Sequence, residues 1–125
     1  MKKSRTLGES FFYAVSGILY AFRTQRNIKI HFMVSLLVII FSFLLKLNII
    51  ELLIVSITIT LVLTAEMINT AIESVVDMYT QEYHPLARAA KNVAAGAVLV
   101  SAVNAVVIGY FIFFKKIALI LGFLQ

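Results

Sequence analysis

The chain has 125 residues, enough for one domain, of which 62% are hydrophobic and 14% charged, with a net charge of +5 and a mean hydropathy of +0.99. Soluble domains carry about a quarter charged residues, so a soluble helical bundle could not hide this much apolar surface; the composition predicts a small integral membrane protein. The absence of cysteine excludes disulfides and thiolate chemistry, and basic residues gathered at segment ends suit lipid headgroups or a phosphorylated ligand rather than nucleic acid.

The first segment, about 5–27, follows Lys2 and Lys3, begins at Arg5 and runs into the apolar stretch 11–22. A basic start and a short apolar core also describe a secretory signal, but Glu9 interrupts the start and no soluble domain follows that would need export. Phe11, Phe12, Val15, Ile18, Leu19 and Phe22 share one helical face, which predicts an amphipathic helix lying in the membrane interface. Arg23, Arg26 and Lys29 then form a basic hinge. The first span, about 29–48, is built on residues 32–45 and reaches across about 30 Å of hydrocarbon only if its flanks contribute and Lys46 snorkels outward. Asn48 and Glu51 mark a tight turn. The second span, about 51–79, is uncharged in its first half and acidic in its second, which places its acids near the far interface. After a loop, Pro85 suits the first turn of the next helix. The third span, about 86–115, contains no charge between 93 and 114 and is the clearest membrane-crossing signal. Its Ala94-Ala95-Gly96-Ala97 run would let another helix approach closely; Lys115 and Lys116 end it. The tail to Gln125 gives no reading, and the chain shows no repeat or linker, so 1–125 is one unit.

Orientation follows from the cations. With the N-terminus in the cytoplasm, that side collects Lys2, Lys3, Arg5, Arg23, Arg26, Lys29, Arg88 and Lys91, and the outer side Lys46, Lys115 and Lys116. This predicts a multi-pass plasma-membrane protein with its N-terminus inside and the acidic end of the second span facing the cytoplasm.

Chemistry concentrates in the stretch from Glu66 to Asp77. On a helix, Glu66, Asn69, Glu73 and Asp77 fall within a stripe about 80° wide. Acids on one face repel each other and cost desolvation when buried, and a bound cation would offset that; the bland alternative is the wet end of a membrane helix. Glu82, Arg88 and Lys91 add charge of both signs nearby. Hard oxygen ligands suit Mg²⁺ with room left for phosphate oxygens, and a cation beside them suits phosphoryl transfer. The five glycines form no phosphate-cradling loop. His31 and His84 are too far apart in sequence to suggest zinc, Met67 and Met78 read as packing residues, and Asn104 reads as an interhelical hydrogen bonder. Two classes remain open on these grounds: a metal-dependent enzyme at the membrane–cytoplasm interface, or a small oligomeric transporter with a proton-exchanging glutamate.

The pattern Glu66-x-x-Asn69-Thr70-Ala71-Ile72-Glu73-x-x-Val76-Asp77, then Glu82-Tyr83-His84-Pro85-Leu86-Ala87 and Ala90-Lys91-x-x-Ala94-Ala95-Gly96-Ala97-Val98, resembles the prokaryotic diacylglycerol kinase family. The His84-Pro85 loop and Arg26-Asn27 resemble its Gram-positive branch, chiefly undecaprenol kinases. The resemblance spans about 11–114 and implies an all-α homotrimeric membrane bundle, with a surface helix and three transmembrane helices per subunit and active sites at subunit boundaries. It implies Glu66 as the catalytic base on the lipid hydroxyl, Glu73 as the magnesium-holding glutamate, and Asn69 and Asp77 as supporting residues. Tyr13, Glu82, Tyr83, His84 and Lys91 fall at nucleotide-contacting positions, and Ala95 at a lipid-contacting one. Two departures stand out. Gln25 occupies the place of a metal-pairing, nucleotide-side glutamate, and Asn92 that of an aspartate. The implied activity is ATP- and Mg²⁺-dependent phosphorylation of a membrane alcohol, undecaprenol on branch resemblance, with diacylglycerol as the alternative acceptor and a non-catalytic or transporter-like protein as the third reading.

Overall fold

The computed structural model describes residues 6–122. Among them the chain forms four helices: α1 (Leu7–Thr24), α2 (Arg26–Leu44), α3 (Ile49–Tyr79) and α4 (Pro85–Ile120). Lys2, Lys3 and Arg5 of the basic N-terminus, and the tail beyond 122, lie outside the described residues.

Three of the four helices, α1, α3 and α4, start where a side chain accepts from a free N–H group of the first turn. In α1 Thr6 and Glu9 form a reciprocal capping box, and in α3 Asn48 and Glu51 do the same. The Asn48 N–H donates to Glu51 at 2.8 Å and the Glu51 N–H to the Asn48 side-chain oxygen at 2.9 Å. Pro85 opens α4, where its missing N–H costs nothing. The turn from α2 into α3 is a Schellman motif: Lys46 N–H donates to Phe43 and Leu47 N–H to Ser42. Lys46 takes the left-handed backbone this requires, at φ 52°, while Leu47 folds in and is buried.

The helices α2, α3 and α4 are each long and apolar enough to cross a membrane, and α1 is not among them. Most of their large apolar side chains are exposed on the single chain, as expected where the solvent is hydrocarbon and helices associate through packing. Hydroxyls within the spans are satisfied locally: Ser35, Ser42, Thr58, Thr60 and Thr70 each donate to the carbonyl four residues back.

The principal packing is α3 on α4, with α2 on α3, and α1 touching both α2 and α3. Two ion pairs fix the α3–α4 register. Glu51 meets Lys116 at 3.1 Å at one end, and Asp77 meets Lys91 at the other. The pairs stand about 38 Å apart at 1.5 Å rise per residue, and this crossing of early with late residues makes the two helices antiparallel. The sequence reading ended the third span at about residue 115; here α4 continues to Ile120, and Lys116 within it meets Glu51. The basic stretch expected as a hinge is helical on both sides of Gln25, which alone breaks α1 from α2.

Asn48 holds two of the bonds that start α3. Asn48→Ala is expected to destabilise the protein by about 1 kcal/mol, read as a lowered midpoint in thermal unfolding of the detergent-solubilised chain.

Candidate active site

The acids of α3 are placed by depth. Glu51 and its lysine mark one interface; Glu66 lies about 22 Å further along the helix. Hydrocarbon about 30 Å thick would therefore end near residue 71, leaving Glu66 just inside it and Glu73 and Asp77 beyond. The burial pattern follows: Glu66 is 2% and Asn69 8% exposed, Glu73 is half-buried and Asp77 exposed.

Glu66 is held from its own helix, where the Thr70 hydroxyl donates to its backbone carbonyl at 2.9 Å. Its side-chain Oε2 is buried without a hydrogen-bond partner, as is the Asn69 Oδ1. An unpartnered buried carboxylate oxygen costs free energy, and at membrane depth such a group is a functional site by default. The Asn69 amide donates its Nδ2 to Glu73 Oε1 at 3.0 Å. Four residues separate them, one turn of helix, so the spacing itself makes the bond.

Asp77 is paired with Lys91, which reaches across from the first turns of α4. The repulsion expected along the acidic stripe is thus relieved mainly by the protein itself, with an amide between Glu66 and Glu73 and a lysine at Asp77. Among the described residues no group of three or more acids, histidines or cysteines gathers to form a cage for a metal. The donor set that exists is Glu73, with one oxygen bonded to Asn69, and the unpartnered Asn69 Oδ1. Those oxygens suit Mg²⁺, which commonly takes one or two carboxylates and fills its sphere with phosphate and water.

The remaining residues singled out from the sequence are distributed around this centre. Glu82, Tyr83 and His84 lie exposed in the connector from α3 to α4, at the same end as the Asp77–Lys91 pair. The Thr80 hydroxyl accepts from the Glu82 N–H at 3.1 Å, and His84 turns its Nδ1 onto the Leu86 N–H at 3.3 Å, capping α4. Asn92 is exposed beside Lys91, and Ala95 faces outward while its neighbour Ala94 is buried. Tyr13 is 54% exposed on α1. Gln25 makes no side-chain cap on α2, so its amide is uncommitted. Among the described residues no hydrogen bond joins Gln25 to the acidic stripe of α3. Sequence reasoning did not single out Thr70, whose four-residue spacing from Glu66 is the signal that could have found it.

The profile of the prokaryotic diacylglycerol kinase family matches residues 12–113. A diacylglycerol kinase of Synechocystis is 48% identical over 101 residues, covering 80% of this chain and 58% of that relative. An undecaprenol kinase of Bacillus subtilis is 45% identical over 109 residues, covering 87% of this chain and 89% of its own length. A diacylglycerol kinase of Escherichia coli is 42% identical over 50 residues, covering 40% of this chain and 41% of its own length. The chain therefore spans less than two thirds of the first and third of these relatives.

The side chains of Lys91 and Asp77 are 38% and 62% exposed, so water screens their attraction and the pair contributes at most about 1 kcal/mol. Lys91→Met is expected to leave the thermal midpoint within that margin. A larger loss would mean that this pair, rather than the apolar contact, carries the α3–α4 packing.

Proposed function

This chain belongs to the prokaryotic diacylglycerol kinase family, and on that footing we propose that it transfers the γ-phosphate of ATP to the hydroxyl of a membrane lipid. The observation that carries the reading is the buried Glu66 carboxylate with an unpartnered oxygen, one turn from the Asn69–Glu73 pair. A base is needed where a lipid hydroxyl can reach from the bilayer, and a phosphate-handling group where a nucleotide can reach from water. Glu66 and Glu73 stand on either side of that boundary on one helix.

In this mechanism the lipid oxygen attacks the γ-phosphorus as its bond to the β-phosphate oxygen breaks. The hydroxyl proton passes to Glu66, and ADP leaves. Asn69 orients the Glu73 carboxylate. Asp77 steers the Lys91 ammonium toward the connector, where the ATP phosphates would meet it. Glu73 would hold Mg²⁺ on those phosphates, where the ion supplies charge neutralisation during transfer. Tyr13, Glu82, Tyr83 and His84 would flank the nucleotide, with Gln25 and Asn92 offering amide oxygens where the family pattern has acids. Asn69 and Ala95 would contact the lipid.

The acceptor we propose is undecaprenol, giving undecaprenyl phosphate. The support is the Bacillus subtilis undecaprenol kinase, which this chain matches over nearly that protein's whole length. Diacylglycerol is the second reading, supported by the Synechocystis relative. The working form is a homotrimer in the plasma membrane, with α1 lying on the cytoplasmic surface and the active site on that side. The outward apolar faces of all four helices and the inward bias of basic residues support this arrangement.

The test offers purified protein labelled ATP with undecaprenol and with diacylglycerol in mixed micelles, with and without Mg²⁺. Transfer to one lipid, only with Mg²⁺, is the expected result. Glu66→Gln, which keeps shape and loses the base, is expected to lower transfer by at least about a hundredfold while assembly and helix content persist. A near-wild-type rate in Glu66→Gln would sink the assignment of the base. Absence of transfer to either lipid by intact oligomer would move the non-catalytic reading to the front.

A further inference from the structure

A cavity of about 420 Å³ opens between α2, α3 and α4, a size in the range of small-molecule pockets, which is roughly 300–1,000 Å³. Its α3 wall is Val55, Thr58, Ile59 and Val62. Val55, Thr58 and Val62 continue the helical face that carries Glu66 and Asn69, since all five are the buried residues of α3 together with Thr70. Val62 is one turn from Glu66, and Val55 about 16 Å from it. The cavity thus begins about 6 Å beyond the buried carboxylate and runs away from it, toward the Glu51–Lys116 end.

Its walls are mainly apolar. Ser35 and Thr58 line it, but their hydroxyls donate to the backbone carbonyls of His31 and Ile54; the other polar side chains of its lining are His31 on α2 and Tyr110 on α4. The room exists because α4 presents Ala102, Ala105 and Gly109 to it. At Gly109 an added Cβ would meet nothing within 4 Å, so close packing is not what demands a glycine there.

Resting on the lipid-kinase reading above, we propose that this cavity takes the hydrocarbon chain of a linear polyprenol whose terminal hydroxyl lies at Glu66. A polyprenol joins one unbroken hydrocarbon chain directly to its hydroxyl, which matches a single apolar channel starting one helical turn from the base. A diacylglycerol brings two chains, branching within a few bonds of its hydroxyl, to a single channel whose α3 wall next to Glu66 is Val62, Ile59 and Val55 with the engaged Thr58. Because the chain leaves one hydrocarbon medium for another, burial gives little driving force. The channel acts through shape, by excluding what does not fit and aligning the hydroxyl of what does.

Gly109→Leu tests this, since it fills the middle of the cavity without a backbone clash. The ratio of kcat/KM for undecaprenol to that for a prenol of a single isoprene unit is expected to fall about tenfold or more, the scale of a steric mismatch in an apolar pocket. In wild type, an undecaprenol analogue bearing a diazirine on its third isoprene unit is expected to crosslink to the cavity walls, residues 55–62 and 102–113. An unchanged ratio, or crosslinks confined to other faces, overturns the proposal. So does loss of oligomer in Gly109→Leu with selectivity unaltered, which would mean that a neighbouring copy fills the cavity. If wild type phosphorylates no alcohol, the kinase reading falls, and the crosslink pattern alone then decides whether the channel holds a prenyl chain.

Discussion

A buried carboxylate with an unpartnered oxygen, on a helix long and apolar enough to cross a membrane, is the constraint that the rest of this chain accommodates. Glu66 is nearly inaccessible and one of its oxygens has no partner, which is costly in any protein interior and more so at membrane depth. The surroundings do not cancel the cost by pairing Glu66 with a cation. They keep other charges away from it: the next acid, Glu73, is one turn past Asn69 and nearer water, and the one after that is neutralised by Lys91. The gradient from a lone buried acid to a paired exposed one runs along a single helix, so helical rise alone sets each depth.

Keeping that depth fixed falls to α4. The pairs Glu51–Lys116 and Asp77–Lys91 sit near the two ends of the α3–α4 contact, where long side chains can reach interface water. Sliding one helix past the other by a turn would separate both. Between the pairs the buried face of α3 mixes Val55 and Val62 with Thr58, Glu66, Asn69 and Thr70, and α4 buries Ala94. Charge pairs thus mark the register at the ends while the middle keeps an open cavity, in helices with no hydrophobic drive to associate.

The membrane class, the three spans and the acidic stripe were legible in the sequence because each rests on local spacing: long uncharged runs, and Glu66, Asn69, Glu73 and Asp77 at helical intervals. The Asn69–Glu73 bond is of the same kind. What spacing could not supply were meetings between distant residues. Lys116 read as the end of a helix and Glu51 as part of a turn, and nothing local told that each is the other's partner. The break at Gln25 was also illegible in detail, since arginines and lysine on both sides suggest an extended basic hinge, whereas one residue in extended backbone suffices to redirect the chain. The apolar cavity was invisible for the opposite reason: Ala102, Ala105 and Gly109 look like ordinary close-packing residues until three helices are seen to leave the space open.

The two amides at Gln25 and Asn92 fit this charge arrangement better than their chemistry alone would suggest. Lys91 already has a carboxylate in Asp77, and Asn92, the next residue of α4, points about 100° away from it around the helix. Gln25 separates α1 from α2 with its side chain engaged in no cap, and α1 touches α3, the helix that carries Glu66 and Glu73 within two turns. A third carboxylate there would raise the repulsion that Asn69 now relieves, and would need a resident cation to offset it. An amide offers an oxygen donor without that requirement.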